Sequence, residues 1–396
     1  MPSVFLSEII IMIKNVLACF WMVVVGSNIA QFYSQDFPYQ GIVVFFGGLV
    51  FLLMYRSYLF GLLHSKDFSF MLMALVLPIV LMFISDRSFD RGDYASMVSV
   101  VLIFLVSAVL ASRKELKQAV IVSSFIIVLV GTALNLYELL IENNVWSIAP
   151  GRSAGFYVNP TLAGEALVGF GLAFLLMRTG KLLLVDLALI FVVMLGVLST
   201  FSRAAILASL VLFVVAAVLR TKPKNIIRTV SLLLVSIIFV SFVTSYVISN
   251  VDLSEDASVR IFSLLDKGGV GDYKDDRGQI AEAGVALALN DPLFGVGVKK
   301  IFSMEEGPHN IFVAVFVDYG LVGLAYFLVM IARLIYVSFN VGLKNSGLVF
   351  SFVGWIVMFG FASHTLLGSA ATMVWFGFAF SKCCEIQKSK FARRAG

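Results

Sequence analysis

Three residues sit where a side chain could act on a hydroxyl or a phosphate. His309 is one of only three histidines, and it ends a hydrophilic stretch at the mouth of an apolar run, in EEGPHNIFVAVFVDYGLVG (305–323). An imidazole titrates near neutral pH, so a neutral His309 can take a proton from an acceptor hydroxyl. An interfacial histidine that merely caps the next helix would look the same in sequence. Arg203 follows STFS (199–202) at the end of one apolar run and opens the next. Ionisable residues at that depth usually face a cavity or a partner, and a guanidinium suits a phosphate through paired, charge-assisted hydrogen bonds. The alternatives are an ion pair with a nearby carboxylate or an interfacial anchor. Arg277 lies in DYKDDRGQ (272–279), where Asp275 or Asp276 is expected to cap a helix that Asn290, Asp291 and Pro292 then stop. A cation in the first turn opposes the helix dipole, but together with the free amide groups it makes an anion site.

Weaker candidates surround these. GRSAGFYVNPTLAGEALVGFG (151–171) carries Arg152 and Asn159 ahead of Pro160 and a run of small residues, whose default meaning is close helix packing. Glu165, one turn into that run, needs a partner, and a neighbouring arginine is the expected one. In NDPLFGVGVKK (290–300), Gly295 and Gly297 let backbone approach a ligand, with Lys299 and Lys300 behind them. Asn310 adjoins His309. His364 has no acidic or basic neighbour in sequence and reads as structural, while Asp36, Asp86, Asp90 and Asp93 read as solvated loop charges. The scattered histidines offer no zinc cluster, and neither a Walker-type loop nor a G-x-S-x-G elbow occurs.

The elements that position these residues follow from composition. Of 396 residues, 60% are apolar and 13% charged, against roughly 45–50% and 25% in an ordinary soluble domain. The apolar runs recur at the roughly 20-residue length of a bilayer-spanning helix. The fold expected is an all-α polytopic membrane protein of about twelve transmembrane helices, near 8–31, 40–55, 68–85, 94–111, 119–141, 160–178, 182–199, 203–219, 228–249, 310–332, 347–363 and 367–381. It divides into helices one to nine (1–249), one large hydrophilic loop containing short helices (250–309), and helices ten to twelve with a basic tail (310–396).

The first run is too long for a signal-peptide core and reads as a retained span. The three cysteines imply no disulfide framework. With the N-terminus inside, basic clusters such as Arg113, Lys114 and Lys117, or Arg220, Lys222, Lys224 and Arg228, fall inside, leaving only Arg87, Arg91, Arg152 and Arg203 in the short outside loops. Both termini are then cytoplasmic and the large loop external. The net charge of +5 reflects this asymmetry and gives no reason to invoke nucleic acid.

Three stretches in order, GRSAGFYVNPTLAGEAL (151–167), LSTFSRAAILA (198–208), and Arg277 with PLFGVG (292–297) and HNIFVAVFVDYGLVGL (309–324), resemble the O-antigen ligase and polymerase superfamily. Asp318 stands where glutamate is common in that family. The resemblance implies a glycosyltransferase of the multi-helix C class (GT-C-like) in a Gram-negative inner membrane. It would take a glycan from undecaprenyl diphosphate on the periplasmic face and, in the ligase branch, pass O-antigen to lipid A–core oligosaccharide, needing neither metal nor other cofactor. By motif, Arg203 and Arg277 would hold the diphosphate and His309 would activate the acceptor hydroxyl.

The nearest rival is a Wzy-type polymerase, which uses the same donor and a different acceptor. A protein O-oligosaccharyltransferase is next, although the short tail is expected to leave no room for a further domain. A lipid or glycan transporter, from a different class, would keep its critical charges, Lys14, Glu165 and Arg203, near the bilayer midplane.

Overall fold

The structure is a computed structural model that describes residues 2–33, 41–84, 91–141, 145–178, 184–221, 227, 231, 277–298, 300–304 and 307–395. The expected span at 228–249, most of the large loop, Asp36, Asp86, Asp90, the capping pair Asp275 and Asp276, and Lys299 lie outside the described residues, as does the side chain of Arg277. Among the described residues the chain is helical and forms no strand.

The helices are α1 (Pro2–Gly26), α2 (Ile29–Phe32), α3 (Gly48–Met54), α4 (Arg56–Leu63), α5 (Lys66–Ile84), α6 (Arg91–Ser112), α7 (Lys117–Leu140), α8 (Pro160–Met177), α9 (Leu184–Ser199), α10 (Arg203–Arg220), α11 (Arg277–Ala288), α12 (Ile311–Val341), α13 (Leu343–Gly360) and α14 (Ala370–Ala395). Among the described residues seven are long and apolar enough to cross a membrane, or eight if one bent pair counts as a span. About twelve were expected; one of these, 228–249, lies outside the described residues, and four others differ locally. The run at 40–55 is a π-helical turn, Gly41–Gly47, continued by α3 and broken at Tyr55, where α4 leaves at 86°. The runs at 182–199 and 347–363 form apolar helices shorter than a full crossing. The last run is the first half of α14, which continues into the charged tail.

One side of α1 displays Met12, Val16 and Phe20, each more than half exposed, as a helix facing lipid must. The centre of the bundle is α8, wrapped by α7, α9, α10, α13 and α14. Its small residues permit this, with Gly164 against Ala205 and Gly171 against Phe213 and Val193. Trp355 of α13 donates its indole N–H to the Glu165 carbonyl at 3.1 Å, locking α13 to the first turns of α8.

α12 runs for 31 residues, about 46 Å at 1.5 Å per residue, longer than the roughly 30 Å hydrocarbon core. It is broken at Gly320, whose φ of 64° and ψ of −163° are not helical. The freed amides of Leu321 and Val322 donate to the carbonyls of Pro292 (2.8 Å) and Leu293 (3.2 Å), and Val296 N–H donates to the Val317 carbonyl (2.8 Å). PLFGVG therefore plugs the break in α12. A side chain at Gly320 would strike the Leu293 carbonyl, and one at Gly295 (φ 80°) would strike the backbone of Asp318 and Tyr319. What Gly295 approaches is the chain's own helix. Asp318 completes the lock, its Oδ1 accepting the Ile301 N–H at 3.0 Å.

Candidate functional site

One end of the bundle gathers the sequence motifs, and a residue outside all of them organises it. Glu138, in the last turn of α7, is 1% exposed. Its Oε1 accepts the N–H groups of Trp146 (2.8 Å) and Ser147 (2.6 Å), and its Oε2 accepts those of Ala154 (2.7 Å) and Gly155 (3.0 Å). Four amides converging on one carboxylate fold the 145–157 loop around a buried charge, since charge-assisted bonds of this kind are the strong ones. The loop is fastened at its far side by Tyr157, whose hydroxyl donates to the Gly26 carbonyl at 2.8 Å, and by Asn28, whose amide donates to the Phe156 carbonyl at 2.9 Å.

That loop in turn holds the turn before α10. Arg152 Nε donates to the Thr200 carbonyl at 2.9 Å, and Ser153 N–H donates to the Ser199 carbonyl at 3.2 Å. Phe201 takes a positive φ of 46°, and the Ser202 hydroxyl caps α10 by accepting the Ala205 N–H at 3.4 Å. Arg203 is the first residue of α10. Its side chain is exposed and makes no ion pair or hydrogen bond among the described residues. Arg152, by contrast, spends its Nε on holding the Arg203 turn.

His309 lies just ahead of α12. Asn310 caps that helix, its Oδ1 accepting the N–H groups of Phe312 (2.9 Å) and Val313 (3.3 Å). Asn159 does the same for α8 through Thr161 N–H at 2.8 Å. Both asparagines are thus engaged in starting helices. His309 itself has φ 48°, a left-handed backbone that costs a non-glycine residue about 1–3 kcal/mol, and its imidazole is partly buried.

His364, read as solitary from sequence, is the residue His309 faces. The rings meet edge to face with centroids 5.5 Å apart. Gly307 lies flat on His364, so close that any side chain there would overlap the ring. Burial, and secondarily the neighbouring His309, pushes the His364 imidazole down to about 4. His364 therefore stays neutral across the ordinary working range.

Behind His364 stands Ser363, whose hydroxyl is 3.2 Å from that of Thr365. Beyond it lies Glu165, 1% exposed. No arginine pairs with it among the described residues. Ser363 is near enough to interact with the Glu165 carboxyl, yet neither carboxyl oxygen accepts a hydrogen bond of ordinary geometry among the described residues. Lys300 sits in the 3-10 turn Lys300–Ser303, anchored on Asp318 through the adjacent Ile301 amide.

The structure thus brings Arg152, Arg203, Glu165, His309 and His364 to one end of the bundle. Sequence reasoning missed Glu138, Ser363 and the role of His364. A carboxylate inside a predicted span was the available signal for Glu138.

Fold and site together define an all-helical, multi-pass membrane protein with a polar, histidine-bearing end. Within it, residues 187–328, a little over a third of the chain, match the family model described as O-Antigen ligase (Wzy_C). This is the family that the motifs resemble, and it covers O-antigen ligases and polymerases, membrane glycosyltransferase-like enzymes that act on lipid-linked glycans. The matched segment runs from the start of α9 through Arg203 and His309 into α12. No curated protein matches the chain.

Proposed function

We propose that the chain is an O-antigen ligase, a metal-independent, inverting glycosyltransferase that moves O-antigen from undecaprenyl diphosphate to lipid A–core oligosaccharide. It would work in the twelve-span, GT-C-like frame, in the inner membrane, with both termini cytoplasmic and the site periplasmic. The observation that carries the reading is the pairing, at one end of the bundle, of a strained His309 backed by a neutral imidazole with an exposed arginine that has no counter-ion among the described residues.

In this reading His309 removes the proton from the acceptor hydroxyl. The freed oxygen attacks the anomeric carbon as the bond to the diphosphate oxygen breaks, and its electron pair leaves with the diphosphate. Attack from the opposite side inverts the anomeric centre. Arg203 and Arg277 meet the growing charge on the leaving group, which is preorganised electrostatic stabilisation. Two guanidiniums in that role make a metal unnecessary. Arg203 also stands at the N-terminus of α10, so the helix amides add to the anion site.

The test is transfer by the purified protein, with undecaprenyl diphosphate-linked glycan and lipid A–core, in the presence of chelator. Glycan joined to core, and lost by about 10²–10⁴-fold in His309→Ala, is the expected result. Growth of the glycan on its carrier lipid would assign the protein to the polymerase branch. Full activity of His309→Ala would remove the base mechanism, and no transfer to any acceptor would return the transporter reading.

A further inference from the structure

At the end of the bundle remote from His309, two polar groups lack an ion pair or hydrogen bond among the described residues. The first is Lys14 of α1, inside the membrane-length stretch Ser7–Gly26. Its ammonium lies over the Tyr55 ring, 5.8 Å from the centroid. An unpaired cation inside a span is costly and calls for a partner. The second is the hydroxyl of Tyr55, at the break between α3 and α4. Tyr55 is 4% exposed and its hydroxyl has no hydrogen-bond partner among the described residues. Buried tyrosine hydroxyls ordinarily find one, and phenylalanine would fill the same space without the penalty of an unsatisfied group.

Arg113 closes the place from the third side, just ahead of the 3-10 turn Lys114–Leu116 that leads into α7. Its guanidinium lies over the rings of Tyr58 (3.9 Å) and Tyr55 (5.0 Å) and pairs with Glu115 at 2.5 Å. Two cations against one carboxylate leave the cluster one net positive charge. The distance from the His309 end follows from α7, where Lys117 and Glu138 stand about 32 Å apart at 1.5 Å per residue. The flanks are apolar and open. Ile13 and Leu17 on α1, and Val50 and Leu53 on α3, are each about half exposed or more. The run Gly41–Met54 is shorter than the roughly 20 residues a crossing needs, and α4 leaves it at 86°, so Tyr55 ends that run within the leaflet. Outside the cluster, Arg56 and Lys114 are exposed.

We propose that Lys14 and the Tyr55 hydroxyl, walled by Arg113 and Tyr58, seat the phosphate of an anionic phospholipid in the leaflet opposite His309. The net charge of the cluster matches a phosphodiester, to which the Tyr55 hydroxyl donates a charge-assisted hydrogen bond. The aliphatic stem of Lys14 runs along the apolar flank while its ammonium reaches the phosphate, and the acyl chains lie on Ile13, Leu17, Val50 and Leu53. Arg56 and Lys114 repel a headgroup that carries its own ammonium, which selects an anionic lipid over a zwitterionic one. The seat is separate from the transfer site, and the inference stands or falls independently of the reaction proposed above.

The experiment uses the full-length protein, stripped of lipid in detergent and titrated with phosphatidylglycerol, with bound lipid counted by native mass spectrometry and stability followed by melting temperature. Wild type should retain one phosphatidylglycerol in preference to phosphatidylcholine and melt higher with it. Tyr55→Phe removes a single oxygen and should weaken phosphatidylglycerol binding by about tenfold or more. Without lipid the same variant should melt no lower than wild type, because its hydroxyl satisfies nothing there. Lys14→Met should weaken binding at least as much and erase the preference over phosphatidylcholine. Equal retention of the two lipids by wild type, or unchanged affinity in Tyr55→Phe, overturns the inference. A lipid-free Tyr55→Phe that melts below wild type does so too, by giving the hydroxyl a partner within the protein. Displacement of the lipid by equimolar inorganic phosphate would make this a site for free anions, and a lipid-free dimer that excludes phosphatidylglycerol would give the face to a second copy; either result overturns the lipid seat. Should Lys14→Met fail to fold, Tyr55→Phe decides alone.

Discussion

The two ends of the bundle treat charge in opposite ways. At the end remote from His309, Asp186 is fully buried between Arg178 (2.7 Å) and Arg220 (3.2 Å), and Asp67 binds Arg333 at 2.8 Å and also Gln387. These pairs tie α8, α9 and α10 together and fasten α14 and α12 to α5. At the His309 end, Arg203 is exposed and unpaired among the described residues, and Glu165 is buried and unpartnered. Glu138 is satisfied there by backbone amides alone. A charge engaged with a fixed partner can hold helices but has nothing to offer a ligand, whereas Arg203 is set in place by the backbone turn ahead of it and remains exposed.

This contrast is broken most directly by exchanging the fates of two residues. Arg203→Ala should leave thermal stability almost unchanged, since its side chain is exposed and makes no ion pair or hydrogen bond among the described residues, and should lower transfer by about 10²–10³-fold. Asp186→Asn should do the reverse. Removing one partner of a buried ion pair costs about 3–5 kcal/mol, so the melting temperature should fall sharply while the folded fraction keeps its specific activity. Equal losses of stability in the two variants would show that the ends do not differ in kind.

Glu138→Gln sharpens the comparison from inside the His309 end. It keeps one oxygen for the amides, but it loses the charge and places an NH2 against a pair of donors. Unsatisfied buried donors cost about 1–3 kcal/mol each, so the 145–157 loop should loosen, and with it the Arg152 to Thr200 contact that sets the Arg203 turn. Transfer should drop about tenfold through the donor KM, and hydrogen exchange should quicken at Ala154 and Gly155. Unchanged exchange there would show that the loop is held by Tyr157 and Asn28 instead.

Spans were legible in the sequence wherever apolar length was the whole signal, as in α6, α7 and α8. Bends were not, because hydropathy reports what a segment is made of and not where it turns. Nothing in 40–55 announces the 86° turn after Tyr55. His309 and Arg203 were legible because rare or charged residues at the edge of an apolar run have few structural uses. The roles of their supports were hidden by distance along the chain. The partners of Glu138 are backbone amides, which leave no trace in residue type, and the mate of the 292–297 glycines is Gly320, on another element. His364 is alone in its own stretch and acquires meaning only beside His309.

The smallest effect expected concerns pH and separates the two imidazoles at the site. His364 is held at about 4 in the folded protein, against an ordinary value of 6.5. Above 6.5 it is neutral in both folded and unfolded chains and contributes no pH dependence. As pH falls below 6.5 the unfolded chain takes up a proton that the folded protein refuses, so stability should decline between pH 6.5 and 4 and stop declining below that. His364→Gln cannot take up the proton in either state and should flatten this part of the stability curve by a few degrees in melting temperature, while the loss of transfer on acidification, which follows protonation of His309, should remain. If the stability slope is the same in wild type and His364→Gln, the ring is open to water and cannot be the dry wall against which His309 works.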